Sequence, residues 1–336
     1  MNSTTKIFRN EDYEIYFDTS TGFEVMRGVN GKADPFRLEL PSLLDIGIMG
    51  RCENKCAFCY QGHETRPNMS LNDFKSIIDQ VKHHTSQVAL GGRGDPNLHE
   101  NFKEIVEYAR DNNVIPNYTT SGFNLTDKQI EISKMCGAVA VSEYRQDETY
   151  SSIKRLMDSG IKTNIHFIFS NGNFPDCIKI LHGSDPWDPK YKHHGSLVDV
   201  DRLNAVIFLL FKAAGAGANT PGMTPTKYQF DVFSDLIFNS KAKFKVGMDS
   251  CLVNHILQRT TPNELQSLGI DTCEGGRMSG YITPDMKMKP CSFAEDSWEI
   301  QINDTQDISY IWNRSQTFKS FRSKLRKNRT SCPIGL

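Results

Sequence analysis

Leu43-Leu-Asp-Ile-Gly-Ile-Met-Gly50-Arg-Cys52-Glu-Asn-Lys-Cys56-Ala-Phe-Cys59 is the stretch from which the fold can be read. Its first half is an apolar run of strand length, which predicts a buried strand over Leu43–Ile48. Its second half sets three cysteines at Cx3CxxC spacing on the loop leaving that strand, at the end where α/β barrels keep their chemistry. Three thiolates around one metal centre leave a coordination position open, which separates a working metal site from a structural one. An iron–sulfur cube takes four ligands, so a cube held by Cys52, Cys56 and Cys59 would keep one iron free. A zinc knuckle is the alternative, but it usually draws on paired CxxC or Cys/His ligands.

Strand–helix alternation continues outward from this point. Strands are predicted at Leu43–Ile48, Gln87–Leu90, Ile115–Tyr118, Ala138–Ser142, Thr163–Ile168 and Ala205–Phe211, with amphipathic helices at Leu71–His83, Asn101–Asn112, Thr126–Met135 and Thr149–Ser159. Six strands with helical crossovers predict a parallel, right-handed α/β sheet. Six units fall short of the eight of a closed barrel, so a partial (β/α)6 TIM-like barrel is expected over 41–222. Residues 1–40 read as a β-hairpin segment that turns at Ser20-Thr-Gly22. The Pro/His-rich Asp185–Gly195 is too long for a simple connection and reads as a lid or partner surface. Lys212-Ala-Ala-Gly-Ala-Gly-Ala-Asn-Thr-Pro-Gly222 is glycine-rich and reads as the end of the barrel.

The 336 residues suffice for such a barrel plus an appendage. At 38% hydrophobic, 24% charged and a net charge of −1, nothing global favours a nucleic-acid or membrane partner. Nine cysteines without a secretory h-region point to a reducing, cytoplasmic setting and to metal work rather than disulfides. The basic stretch Phe318–Arg329 carries Phe318, Phe321 and Leu325 at helical spacing, so it reads as an amphipathic helix with a solvated basic face.

Beyond the first cysteines, Leu90-Gly-Gly-Arg-Gly-Asp-Pro-Asn97 follows the second strand, and its glycines allow close backbone approach to a ligand. Thr119-Thr-Ser-Gly-Phe123 ends the third. Together these motifs resemble the radical S-adenosylmethionine (radical SAM) superfamily, whose signature is CxxxCx(aromatic)C. The resemblance implies that the open iron binds SAM, that Phe58 lies near the adenine, and that Gly91 and Gly92 receive the SAM amino group. Asp95 stands in for the family's usual glutamate, with Arg93-Gly94 intervening. Ser142 and His166, near the ends of strands four and five, would border the ribose or substrate. Arg145 would pair with the SAM carboxylate, since a guanidinium grips carboxylates bidentately.

Cys251, Cys273, Cys291 and Cys332 remain in the last third, with Tyr281–Cys291 reading as a hairpin that ends in a cysteine. This region resembles the C-terminal α+β extension of the SPASM/twitch subgroup, over 223–336, and implies a second, fully ligated [4Fe–4S] auxiliary cluster; zinc on the same residues is the alternative. Met286 stands where the subgroup's hairpin carries glycine. Cys136 reads as core. Cys177 is placed at a helix start, where its pKa would be depressed; it reads as a core or surface cysteine first and is the weak candidate for a hydrogen-atom donor.

The resemblance implies an oxidoreductase that generates a 5′-deoxyadenosyl radical. Oxidative modification or cross-linking of a ribosomally made peptide is the expected function, with flavodoxin or ferredoxin as electron donor. The alternatives are a small-molecule dehydrogenase or epimerase and a non-catalytic iron–sulfur protein. Residues 1–40 do not read as a winged-helix leader-binding module, so recognition would fall to a separate protein or to none.

Overall fold

In the computed structural model, which describes residues 4–143, 146–183, 201–257, 272–328 and 331–335, the chain opens with an antiparallel meander. β1 (Thr5–Arg9), β2 (Tyr13–Asp18) and β3 (Glu24–Gly28) pair in sequence order. The expected hairpin is β2–β3, and one strand more precedes it. β2 alternates, with Tyr13, Ile15 and Phe17 turned inward.

The expected barrel units follow: β4 (Leu43–Met49), α1 (Leu71–Val81), β5 (Gln87–Gly92), α2 (Phe102–Asp111), β6 (Ile115–Thr120), α3 (Asp127–Ser133), β7 (Val139–Ser142), α4 (Gln146–Asp158), β8 (Thr163–Phe169), α5 (Phe174–Leu181) and β9 (Ala205–Leu210). All neighbouring strands from β4 to β9 are parallel. The period of two decides which residues pack and which line the interior. On β4, Leu44, Ile46 and Ile48 are fully buried in the main core, which leaves Asp45, Gly47 and Met49 on the opposite face. On β8, Ile165, Phe167 and Phe169 are buried, and Asn164, His166 and Ile168 alternate with them. Ser70 caps α1 by accepting the Asp73 N–H at 3.1 Å. Thr126 with Gln129 closes a capping box on α3.

The sheet does not stop where the glycine-rich segment begins. α6 (Lys227–Ile237) crosses to β10 (Lys245–Met248), which pairs parallel to β9. α7 (Ser250–Leu257) follows. At the other edge β11 (Ser279–Ile282) pairs parallel to β4, and β12 (Lys287–Lys289) and β13 (Ile300–Gln301) extend the sheet antiparallel. The order is β10-β9-β8-β7-β6-β5-β4-β11-β12-β13, so the expected division at 222/223 falls within one continuous sheet. Lys245-Val-Gly-Met248 gives little strand signal, being four residues long with a glycine inside.

α8 (Ile308–Arg314) and α9 (Gln316–Lys327) close the extension. Trp312 is fully buried and donates Nε1–H to the Leu38 carbonyl at 3.0 Å. Phe318, Phe321 and Leu325 are buried along α9, as the helical spacing predicts. Met286 takes a left-handed φ of 59°, the conformation that favours glycine in this turn. No helix among the described residues is long and apolar enough to cross a membrane.

Asp45 has a measurable consequence. Burial, and then the nearby Glu274, push its carboxyl up to about 7. A carboxyl raised in the folded state contributes stability that is fully present below its ordinary value of about 4 and lost as pH rises through about 7. Asp45→Asn is therefore predicted to gain thermal stability over wild type as pH rises from 5 to 7. The gain levels off above that, as melting curves across the range would show.

Candidate active site

The three cysteines lie on the loop that leaves β4, with Cys52 exposed and Cys56 and Cys59 half-buried. Cys59 N–H donates to the Cys56 carbonyl at 3.1 Å, and Gly62 N–H to the Cys59 carbonyl at 3.2 Å, so the loop curls on itself. Lys55 assists with a left-handed φ of 44°. Burial raises the Cys59 thiol, and Cys52 raises it further, so these two sulfurs sense each other. Phe58 is half-buried on the same loop.

Two glycine segments shape this loop. A Cβ on Gly92, at φ +114°, would collide with the Met49 carbonyl, and one on Gly94 with the Arg51 carbonyl. A Cβ on Gly215, at φ +56°, would strike the Tyr60 carbonyl. Ala216 N–H also donates to the Cys59 carbonyl at 2.9 Å. The Ala214–Asn219 glycines, expected to end the barrel, thus clamp the cysteine loop. Gly91 differs, since a Cβ there would meet nothing within 4 Å. Gly92 serves backbone packing, and Gly91 leaves room.

Ser142, the last residue of β7, sits side by side in register with His166 at the middle of β8. His166 Nδ1 lies 3.5 Å from Thr119 Oγ1, and burial lowers its pKa to about 4, so the ring is neutral at pH 7. The Asp95 carboxylate is turned aside: it accepts the Ser121 N–H at 2.8 Å and contacts the Ser121 hydroxyl, fastening β5 to the β6 turn. Arg145, like Asp185–Gly195, lies outside the described residues. Cys177 is corrected outright. It is fully buried in the main core within α5, and burial pushes its thiol well above the ordinary value, the reverse of a helix-terminus effect. Cys136 is core, as expected.

In the C-terminal region Cys251, Cys273 and Cys291 are brought together with Cys332. Burial pushes the first three thiols up to about 12, and each is raised further by others of the set. Cys273 Sγ and Cys291 Cβ each lie 3.5 Å from the place a Cβ on Gly275 would take, so that glycine leaves space between them. Among the described residues, no three His, Cys, Asp or Glu converge tightly enough for a single metal ion.

Between the two cysteine sets lies a cavity of about 680 Å³, within the usual size range of ligand sites. Tyr60, Gly62, Arg93, Gly215, Lys289 and Phe293 are in its wall. Tyr60 and Phe293 pack with centroids 4.5 Å apart, joining the residue after Cys59 to the turn after Cys291. Arg93 Nη2 lies 3.7 Å from Glu64, while its buried Nη1 has no hydrogen-bond partner among the described residues. Sequence reasoning named neither aromatic. It passed over Arg93 as an interruption of the glycine motif, although a charge in a backbone-approach motif was a usable signal.

Residues 46–143 match the Radical SAM superfamily. The chain is 22% identical over 303 residues to the mycofactocin maturase MftC of Mycolicibacterium smegmatis, covering 85% of this chain and 73% of that protein. It resembles Streptococcus suis SuiB, solved bound to the precursor peptide SuiA, with a TM-score of 0.67 at 13% identity, covering 95% of this chain and 91% of that one. It also resembles native anSMEcpe with bound AdoMet, with a TM-score of 0.59 at 13% identity over 83% of this chain and 82% of that one. The barrel is a radical SAM domain. The chain is a radical SAM enzyme, and such a domain carries one [4Fe–4S] cluster and SAM.

The two glycines of β5 separate packing from ligand space. Gly92→Ala is predicted to cost about 1–3 kcal/mol for a strained backbone against Met49, and Gly91→Ala less than about 1 kcal/mol. Denaturant titration of both variants against wild type checks the difference.

Proposed function

We propose that this enzyme oxidatively modifies a ribosomally made peptide in the cavity between its two cysteine sets. The observation that carries this reading is the cavity itself, which borders both the Cys52–Cys59 loop and the turn after Cys291. The maturase relative and the peptide-bound neighbour support a peptide as substrate. When bound, the cluster and SAM supply a 5′-deoxyadenosyl radical, which takes one hydrogen atom from the substrate.

The chain's own residues hold, orient and shield. Cys52, Cys56 and Cys59 would hold the first cube, and Gly91 leaves backbone space beside it for SAM. Ser142 and the neutral His166 offer hydrogen bonds at the ribose without adding charge. Tyr60 and Phe293 wall off water, and the fixed cavity decides which substrate hydrogen lies within reach. Arg93 presents one buried guanidinium nitrogen, Nη1, with no hydrogen-bond partner among the described residues, which favours an anionic group in the cavity. Cys251, Cys273, Cys291 and Cys332 would fill all four positions of an auxiliary cube, a site fitted for electron transfer rather than substrate binding. Exposed Cys52 marks the side where a flavodoxin- or ferredoxin-like donor would approach.

Anaerobic reconstitution with iron counting and a 5′-deoxyadenosine assay tests the proposal. About eight irons per chain are predicted, from two four-iron cubes. Cys56→Ala is predicted to abolish 5′-deoxyadenosine, whereas Cys291→Ala retains SAM cleavage and loses the modified product when presented with a precursor peptide. Zinc in both sites with no 5′-deoxyadenosine would overturn the reading.

A further inference from the structure

Lys212 follows β9, and its side chain is 6% exposed. Its ammonium contacts the Asp249 carboxylate and lies 4.3 Å from the centroid of the Phe293 ring. Each partner belongs to a cysteine-bearing segment. Asp249 Oδ1 accepts the Leu252 N–H at 2.8 Å, fixing the start of the helix that carries Cys251. Phe293 N–H donates to Cys291 Sγ at 3.5 Å. The ammonium is therefore pinned between the Cys251 and Cys291 segments.

Packing alone does not account for a lysine here. Removing an ammonium from water costs several kcal/mol, and a buried ion pair is often no more stable than an apolar pair of the same volume. A nearby cluster gives the charge a role. Reduction adds one electron to a cluster, and its potential depends on the charges and hydrogen bonds around it. In a low-dielectric site a fixed cation favours the reduced form, and a fixed anion disfavours it.

We propose that Lys212, oriented by Asp249, is the counter-cation of the auxiliary cluster and raises the potential at which that cluster accepts an electron. This rests on the auxiliary-cluster reading above. Lys212 acts through the cluster and is a positioning residue, since its ammonium is directed to Asp249 and Phe293.

The test is an EPR-monitored redox titration of the reconstituted full chain. A Cys56→Ala/Cys59→Ala background leaves the auxiliary cluster to titrate. Lys212→Met is predicted to move the midpoint potential to a more negative value, and Lys212→Arg to restore it towards wild type. Asp249→Asn keeps a side-chain oxygen to cap α7 and is predicted to move the potential the opposite way. Nonspecific damage would lose iron or shift both variants in one direction. With the cluster retained, unmoved potentials or shifts of the same sign overturn the proposal. A background chain that binds no iron overturns the auxiliary-cluster reading and this inference with it.

Discussion

The parallel pairing of β4 with β11 sets Leu44 against Gly280, Asp45 against Tyr281 and Ile46 against Ile282. Through this ladder the C-terminal region becomes part of the barrel sheet rather than a tethered lobe. The geometry is demanding: a Cβ on Gly47 would come within 2.5 Å of Tyr281 Oη, so the barrel strand must carry glycine where the extension's tyrosine enters. Gln61 Nε2 also lies 3.4 Å from that hydroxyl, tying the cysteine loop to the same ring. Because β4 leads into Cys52 and β11 leads through a hairpin into Cys291, one register places the first cysteine loop and the turn after Cys291 beside one cavity.

Charge burial follows the same plan. The interior holds Lys212, Arg277, Lys289 and Arg322 at 7%, 1%, 6% and 6% exposure. Arg322 lies 4.6 Å from the Trp312 centroid and 5.4 Å from the Phe318 centroid, and desolvation lowers its pKa to about 9. It donates Nη1–H to the Trp312 carbonyl at 2.6 Å and has a structural role, locking α9 under the sheet. Arg277 donates to the Cys273 carbonyl at 3.2 Å and to the Phe36 carbonyl at 2.7 Å, bracing the Cys273 turn. Lys212 and Arg277 thus place buried positive charge beside the C-terminal thiols, and Lys212 is already paired with Asp249.

What was legible in the sequence was what depends on local periodicity. The six strands from β4 to β9 announced themselves through apolar runs, and their crossover helices through amphipathic spacing. The first cysteine motif needed only the loop after β4. What stayed hidden depends on distant partners. Lys245-Val-Gly-Met248 becomes a strand because β9 offers an unpaired edge, and no pattern inside four residues records that. Cys177 seemed to stand at a helix start, but its helix begins at Phe174 and the thiol packs inward. Asp95, expected beside SAM, also fastens the β6 turn through Ser121, and its own motif carries no sign of that distant partner. Met286 looked like a departure from a glycine position and proves to adopt the backbone that glycine would have taken.

The central claim is that two iron–sulfur sites of different openness serve one cavity. Mössbauer spectroscopy of the chain reconstituted with iron-57, before and after addition of SAM, tests it most directly. The account predicts two four-iron clusters, of which one acquires an altered iron site on SAM binding while the other keeps its spectrum. A single cluster, or two clusters that both change with SAM, would contradict it.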